Sequence, residues 1–95
     1  MNAIAEPVRE VVESVIRREL GDAVVASLLV TDEIDHDGVA FLRVEIVFDD
    51  AHGRLDPQKV KSLSRLLREP LEDLGEPRFP VFSFKSLAEH HGAAA

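Results

Sequence analysis

The chain has 95 residues and a formal net charge of −7, with 18 acidic residues against 11 lysines and arginines. It contains no cysteine, which excludes disulfide bonds, zinc fingers, iron–sulfur clusters and thiol catalysis. We expect one domain at this length. The acidic balance disfavours nucleic acid as a partner, because lysine and arginine contacts to phosphate supply most non-specific affinity.

The first ten residues, MNAIAEPVRE, lack the basic start and the long apolar run of a secretory signal. No apolar stretch approaches the ~20 residues of a membrane-spanning helix. We therefore expect a cytoplasmic protein that is not embedded in a membrane. Residues 1–95 are expected to form a single domain, with residues 86–95 as a loosely ordered tail.

Apolar residues within the segment 7–20 recur at the spacing of an amphipathic helix. Proline suits the first turn of a helix and glycine suits its end, so Pro7 and Gly21 predict the boundaries. The apolar face consists of Val8, Val11, Val12, Val15, Ile16 and Leu20.

Two apolar runs, residues 24–31 and 39–48, predict a pair of β-strands joined as a hairpin. A two-residue turn at Asp37 and Gly38 would place polar residues in the core. A three-residue loop that also includes His36, with the glycine in the left-handed conformation, buries an apolar set instead. The second register is the one we expect, and it pairs Leu28 with Ile46, Val30 with Val44, and Ala26 with Phe48.

The loop segment TDEIDHDGVAF contains the alternating acids that begin a calcium-binding EF loop. Such a loop needs a bidentate glutamate at its twelfth position, where counting from Glu33 gives Val44. We therefore interpret the segment as a polar hairpin tip. His36 and His52 lie at opposite ends of the second strand, at ~3.3 Å per residue, so they cannot share an ion unless a dimer brings the two ends together. No metal site and no cofactor is predicted.

Asp56 and Pro57 predict the N-cap and the first residue of a second helix, which Gly75 ends. Pro70 lies inside this helix and predicts a kink or a restart near residues 68–69, because proline lacks the backbone donor and clashes with the preceding turn. The predicted buried stripe consists of Val60, Leu63, Leu67, Leu71 and Leu74, with Leu66 at its edge.

A last strand is predicted over residues 78–84, where Pro80 indicates an edge strand or a bulge. Ser86 and Glu89 have the spacing of a capping box, which predicts a turn of helix near the end of the chain. The order helix, strand, strand, helix, strand predicts an α+β fold of two layers. In it, both helices pack on one face of a three-stranded sheet.

Lys61, Arg65 and Arg68 follow an i, i+4, i+7 spacing and therefore share one exposed stripe of the second helix. Such a stripe could contact an acidic protein partner or a phosphate backbone. The alternative is a solvated face that Glu72, one turn after Arg68, partly neutralises.

The side of the sheet that faces away from the helices is predicted to be apolar. A small monomer seldom leaves a large apolar patch in water, so we expect two copies to associate, sheet on sheet, as a homodimer. The alternative is that the tail or a helix of the same chain covers this side. The predicted dimer face consists of Val25, Leu29, Val39, Phe41 and Val47.

No catalytic constellation is visible in the sequence, so we do not expect an enzyme. The serines have no histidine close to them in the chain, and the nucleophile elbow G-x-S-x-G and the glycine-rich phosphate loops are absent. The expected function is that of a small interaction protein that self-associates and binds a protein partner.

The element order, with a proline inside the second helix, resembles type II KH domains and the ribosome-binding factor A group, which bind RNA. That resemblance implies an RNA- or ribosome-associated domain that uses Lys61, Arg65 and Arg68, although the G-x-x-G loop is missing. The segment RFPVFSFKS at residues 78–86, with LDP at 55–57 and LGE at 74–76, resembles small, uncharacterised bacterial proteins of similar length. This second resemblance implies no site residue.

Overall fold

The computed structural model describes residues 4–52 and 55–89 and has the predicted element order and α+β fold class. Its strands form one mixed sheet in which β2 is central, antiparallel to β1 and parallel to β3. The elements are α1 (Glu6–Leu20), β1 (Val25–Ile34), β2 (Ala40–Phe48), a 3-10 turn (Asp50–His52), α2 (Pro57–Asp73) and β3 (Phe79–Ser86).

Helix α1 begins one residue before the predicted start and ends where predicted. At its end Gly21 has a φ of 101°, which favours glycine, and its N–H donates to the carbonyl of Arg17 at 2.9 Å. The Arg17 guanidinium donates to the carboxylates of Glu13 and Asp22, each at 3.0 Å, and to the carbonyl of Val25 at 3.1 Å. One arginine therefore ties the end of α1 to the start of β1.

The hairpin has the predicted three-residue loop. Gly38 adopts a φ of 81°, and the N–H of Asp35 donates to the carbonyl of Val39 across the loop at 3.0 Å. The predicted pairs of Leu28 with Ile46 and Val30 with Val44 are confirmed. Strand β1 continues beyond the predicted end to Ile34, because the three residues from Asp32 onward still pair with β2.

A β-bulge at the start of β1 contradicts part of the predicted register. Val25 pairs with Phe48, and Ser27 pairs with Val47, so Ala26 is the extra residue and does not oppose Phe48. A bulge reverses the alternation of side chains on its strand. Val25 was predicted to lie on the dimer face, but it is only 3% exposed and belongs to the hydrophobic core.

Helix α2 begins as predicted, with the Asp56 carboxylate accepting the N–H of Gln58 at 2.9 Å. It runs without interruption to Asp73, so of the predicted kink or restart near residues 68–69 the restart is wrong. Leu67 and Leu71, on either side of the proline, are both buried in the core, and this burial offsets the lost hydrogen bond. Leu74 is 43% exposed rather than buried, because the helix has already ended at that residue.

A single hydrophobic cluster joins both helices to one side of the sheet. Phe82 and Phe84 of β3 are half-buried and pack against this cluster. Its buried members are Val8, Val12, Val15, Ile16, Leu20, Val25, Val30, Leu42, Val44, Ile46, Leu63, Leu67 and Leu71.

Strand β3 lies at an edge of the sheet, as Pro80 predicted. The predicted capping box follows it: the N–H of Glu89 donates to the Ser86 hydroxyl at 3.1 Å, and the N–H of Ser86 donates to the Glu89 carboxylate at 3.2 Å. Ser86 is itself buried. The rest of the predicted tail, residues 90–95, lies outside the described residues.

Candidate functional site

The side of the sheet that faces away from the core, here called the outer face, carries alternate residues of all three strands. Side chains of paired residues lie on the same side of a sheet, so the strand register defines this set. The outer face consists of Ser27, Leu29, Thr31, Glu33, Phe41, Arg43, Glu45, Val47, Phe79, Val81, Ser83 and Lys85.

Several large apolar side chains of the outer face are exposed to water. Leu29 and Phe79 are each 49% exposed, and Val81 is 38% exposed. Val39, at the hairpin end of the same side, is 47% exposed. Large apolar side chains exposed on one open sheet face, here with Arg43 and Glu45 of the central strand between them, are typical of a contact with another molecule.

The residues predicted for the dimer face divide into three groups. Leu29 and Val39 are exposed, as a contact surface requires. Phe41 and Val47 lie on the outer face, but their neighbours on adjacent strands bury them. Val25 is part of the core, for the reason given above.

An aromatic pair lies at the hairpin end of the outer face. The rings of Phe41 and Phe79 stack with their centroids 6.1 Å apart. The Arg43 guanidinium lies 5.9 Å from the centroid of the Phe41 ring, and its Nε donates to the Glu33 carboxylate at 2.6 Å. Phe41 is thus covered on several sides, and Phe79 is the ring that remains available to a partner.

A shallow depression of about 240 Å³ lies at the other end of the outer face. Val47 lines it together with Leu29 of β1 and Lys85 of β3. Glu45, which is exposed, also borders it. This end of the outer face is therefore an apolar depression with one negative charge, Glu45, and one positive charge, Lys85, at its border.

The charges of the outer face cancel. Glu33 and Glu45 supply two negative charges, and Arg43 and Lys85 supply two positive ones. This local neutrality contrasts with the net charge of −7 of the whole chain. Two copies can therefore approach through this face without the repulsion that their other surfaces would produce.

The cations predicted as a partner-binding stripe, Lys61, Arg65 and Arg68, are all exposed on α2. No carboxylate among residues 4–52 and 55–89 forms an ion pair with any of them, Glu72 included. Arg17 and Arg78, by contrast, each pair with a glutamate at 3.0 Å or less. We call these three residues the basic stripe.

A cleft of about 350 Å³ lies at the C-terminal end of the basic stripe, where α2 meets the segment that leads into β3. Arg68 and Ser64 line it on the helix side, and Pro77 and Phe79 line it on the other side. Phe79 therefore belongs both to the cleft and to the outer face.

A buried ion pair shapes the wall of this cleft. The Arg78 guanidinium binds both carboxylate oxygens of Glu76, each at 2.8 Å, and the two side chains are only 15% and 6% exposed. The hydrogen bond from Arg78 is the largest influence on Glu76 and holds the pKa of its carboxyl below the ordinary value. Because this arginine is engaged, the available cation of the cleft is Arg68.

The turn that ends α2 positions Glu76 for this pair. Gly75 has a φ of 71°, and its N–H donates to the carbonyl of Glu72 at 2.9 Å. The N–H of Glu76 donates to the carbonyl of Leu71, also at 2.9 Å, which completes a Schellman turn. No site was predicted at Ser64, Glu76, Pro77 or Arg78 from the sequence, although Gly75 gave the signal for the turn.

The acidic hairpin tip is closed by its own hydrogen bonds. One carboxylate oxygen of Asp35 accepts the N–H groups of Asp37 and Val39, each at 2.9 Å. These hydrogen bonds are typical of a turn, which is how the segment was interpreted from its sequence. In the described part of the chain there is no group of three or more potential metal ligands. His90 and His91 lie outside the described residues, as does the side chain of His52.

The described residues contain no helix with the length and apolar character needed to cross a bilayer. No protein-family model, curated protein or solved structure matches this chain. Any function must therefore be argued from the residues described above.

Proposed function

We propose that this chain is a small, non-enzymatic interaction protein of the cytoplasm that forms a homodimer through its outer face. The observation that carries the proposal is the exposure of Leu29 on one edge strand and of Phe79 and Val81 on the other, on a sheet surface that none of the described elements covers. In such a dimer the helical layer of each copy stays accessible to a protein partner.

The dimensions of the outer face suggest a weak dimer. Three strands spaced ~4.8 Å apart, each contributing about eight residues at ~3.3 Å, present a flat area of roughly 400 Å² per copy. Because side chains make the accessible area larger than the flat area, the two copies together would bury about 800 to 1,200 Å². This is at the low end for specific interfaces. Interfaces of this size are typical of weak, transient complexes, so we expect a dissociation constant of about 1 to 100 µM.

The charge pattern supports a second copy as the occupant. A partner of strong charge would gain little from a face whose two acids and two bases cancel. Under a two-fold rotation, Lys85 of one copy can lie near Glu45 of the other, because the two residues border the same depression. Each dimer would then contain this contact twice.

Light scattering after gel filtration tests the proposal at a chain concentration of about 200 µM, above the expected dissociation constant. We expect a weight-average mass of about 1.6 to 2 times the 10.5 kDa of one chain over this range of dissociation constants, with 200 µM as the concentration at the detector. Val81→Glu should give the mass of a monomer, because it buries a negative charge in the interface beside Arg43, which Glu33 already engages.

Leu74→Glu provides a matched control, since Leu74 is a similarly exposed apolar residue at the end of α2 and outside the outer face. It should leave the dimer intact. A monomeric wild-type chain at this concentration, or equal masses for the Val81→Glu and wild-type chains, would refute the proposal.

A further inference from the structure

The basic stripe lies on the opposite side of the molecule from the outer face. Helix α2 packs Leu63, Leu67 and Leu71 into the core, and the stripe is exposed on its free flank. A partner can therefore reach the stripe while a second copy occupies the outer face.

The spacing and the pairing state of the stripe indicate what it binds. At a rise of 1.5 Å per residue, Lys61 and Arg68 are about 10 Å apart along the helix axis, with Arg65 between them. None of the three forms an ion pair with a described carboxylate. Three unpaired cations in a row favour a ligand with several negative charges at a similar spacing.

The cleft adds an apolar contact surface for a ligand at one end of the stripe. Its volume of about 350 Å³ is comparable to that of small-ligand pockets. Leu71, Pro77, Phe79 and Pro80 line it, next to the Arg68 guanidinium. A large apolar side chain in the cleft would therefore place the rest of its chain along the stripe.

We propose that the basic stripe and the cleft together bind an acidic peptide segment of a partner protein. Carboxylates of the segment pair with Lys61, Arg65 and Arg68, and a large apolar side chain of the same segment enters the cleft. This inference specifies the partner of the proposed interaction protein. It does not require the dimer, although the cleft and the outer face share Phe79.

A nucleic-acid strand fits this surface less well. Strong binding to phosphates needs more cations than the stripe provides, and the chain carries a net charge of −7. Single strands also need successive aromatic rings for stacking. Phe79 is the exposed ring near the stripe among the described residues.

Fluorescence anisotropy with a labelled helical peptide tests the proposal. The peptide carries glutamates at positions i, i+4 and i+7 and a phenylalanine one turn beyond them. Arg65→Glu should weaken its binding at least about tenfold, because the change replaces an attraction with a repulsion at the centre of the stripe. Lys59→Glu is the matched control: Lys59 is exposed on the other flank of α2, and binding should change less than about twofold.

Variants of the peptide and the cleft separate the two parts of the site. A peptide with glutamines in place of the glutamates should not bind measurably, and one with alanine in place of the phenylalanine should bind about tenfold more weakly. Glu72→Gln in the protein should strengthen binding about twofold, since this carboxylate also lines the cleft. The Val81→Glu protein should still bind the peptide in an Arg65-dependent manner, so that failure of the dimer and failure of this site are distinguishable.

Equal affinity of the peptide for the wild-type and Arg65→Glu proteins would overturn the proposal. So would an oligouridylate that binds in an Arg65-dependent manner while the peptide does not bind, because the stripe would then recognise phosphates. The three substitutions in α2 are at exposed positions, and circular dichroism can verify that the variants remain folded.

Discussion

The rings of Phe41 and Phe79 stack on each other with their centroids 6.1 Å apart, yet Phe41 is 7% exposed and Phe79 is 49% exposed. Phe41 lies on the central strand, where β1, β3 and the Arg43 guanidinium cover it. Phe79 lies on the edge strand and is covered on one side. Phe41 therefore stabilises the fold, and Phe79 is available for association.

Substitutions of these two rings should have different effects. Phe41→Ala should lower the free energy of unfolding by about 3 kcal/mol, as is usual for a buried phenylalanine. Phe79→Ala should instead weaken the dimer at least about tenfold, with a smaller effect on unfolding. Sedimentation equilibrium and urea unfolding measure the two quantities. Similar dimer affinities for wild type and Phe79→Ala would contradict the assignment of Phe79 to the interface.

Alanine substitutions of Leu67, inside α2, and of Leu74, just after it, should differ in their effect on stability. Leu67 is completely buried in the core, whereas Leu74 is 43% exposed. Leu67→Ala should therefore lower the free energy of unfolding by about 3 kcal/mol, and Leu74→Ala by less than about 1 kcal/mol. Urea unfolding at one protein concentration checks this difference. Equal losses would mean that the helix continues past Asp73 and buries Leu74.

The hairpin loop should tolerate asparagine better than alanine at Gly38. The φ of 81° at this glycine is unfavourable for most residues, and a Cβ there would meet nothing within 4 Å. The cost of substitution is therefore conformational, about 1 to 2 kcal/mol for Gly38→Ala. Gly38→Asn should cost less, because asparagine accepts the left-handed conformation more readily. Thermal unfolding compares the variants, and an equal loss in both would argue against this explanation.

The ion pair of Glu76 with Arg78 should make stability depend on pH. The hydrogen bonds from Arg78 lower the pKa of Glu76 in the folded state, so the pair stabilises the fold fully above the ordinary value of about 4.5. That contribution is lost as the pH falls through the lowered folded-state pKa. Glu76→Gln should lower the free energy of unfolding by about 3 kcal/mol at pH 7, because it leaves the buried guanidinium unpaired.

The difference between wild type and Glu76→Gln should stay constant from pH 7 to about 5 and shrink below that. Urea unfolding at a series of pH values measures it. A difference that stays the same down to pH 3 would show that the carboxylate charge is not what stabilises the wild type.

Periodicity and turn chemistry predicted the features of the fold that depend on neighbouring residues. The alternation in β2 and the position of Gly38 were sufficient for the register between Leu28 and Ile46, and Asp56 with Pro57 was sufficient for the start of α2. The bulge at Ala26 was not predictable in this way. The bulge adjoins the point where the Arg17 guanidinium donates to the Val25 carbonyl, and strand alternation does not encode such a contact between a helix end and a strand.

The candidate surfaces were likewise predictable from the sequence only where they depend on neighbouring residues. Spacing alone predicted that Lys61, Arg65 and Arg68 share an exposed stripe. The cleft beside the stripe lies where α2 contacts the segment that leads into β3. Helix periodicity does not predict which other segment a helix contacts. The burial of Phe41 likewise depends on Phe79, a residue far away in the chain that the parallel pairing of β2 with β3 brings beside it.

Intermolecular nuclear Overhauser effects in a mixture of isotope-labelled and unlabelled chains test most directly whether a second copy covers the outer face. We expect contacts between chains from the methyl groups of Leu29 and Val81 and from the ring of Phe79, and none from the residues of α2. Contacts between chains that arise from α2, or none from the outer face at millimolar concentration, would contradict the account.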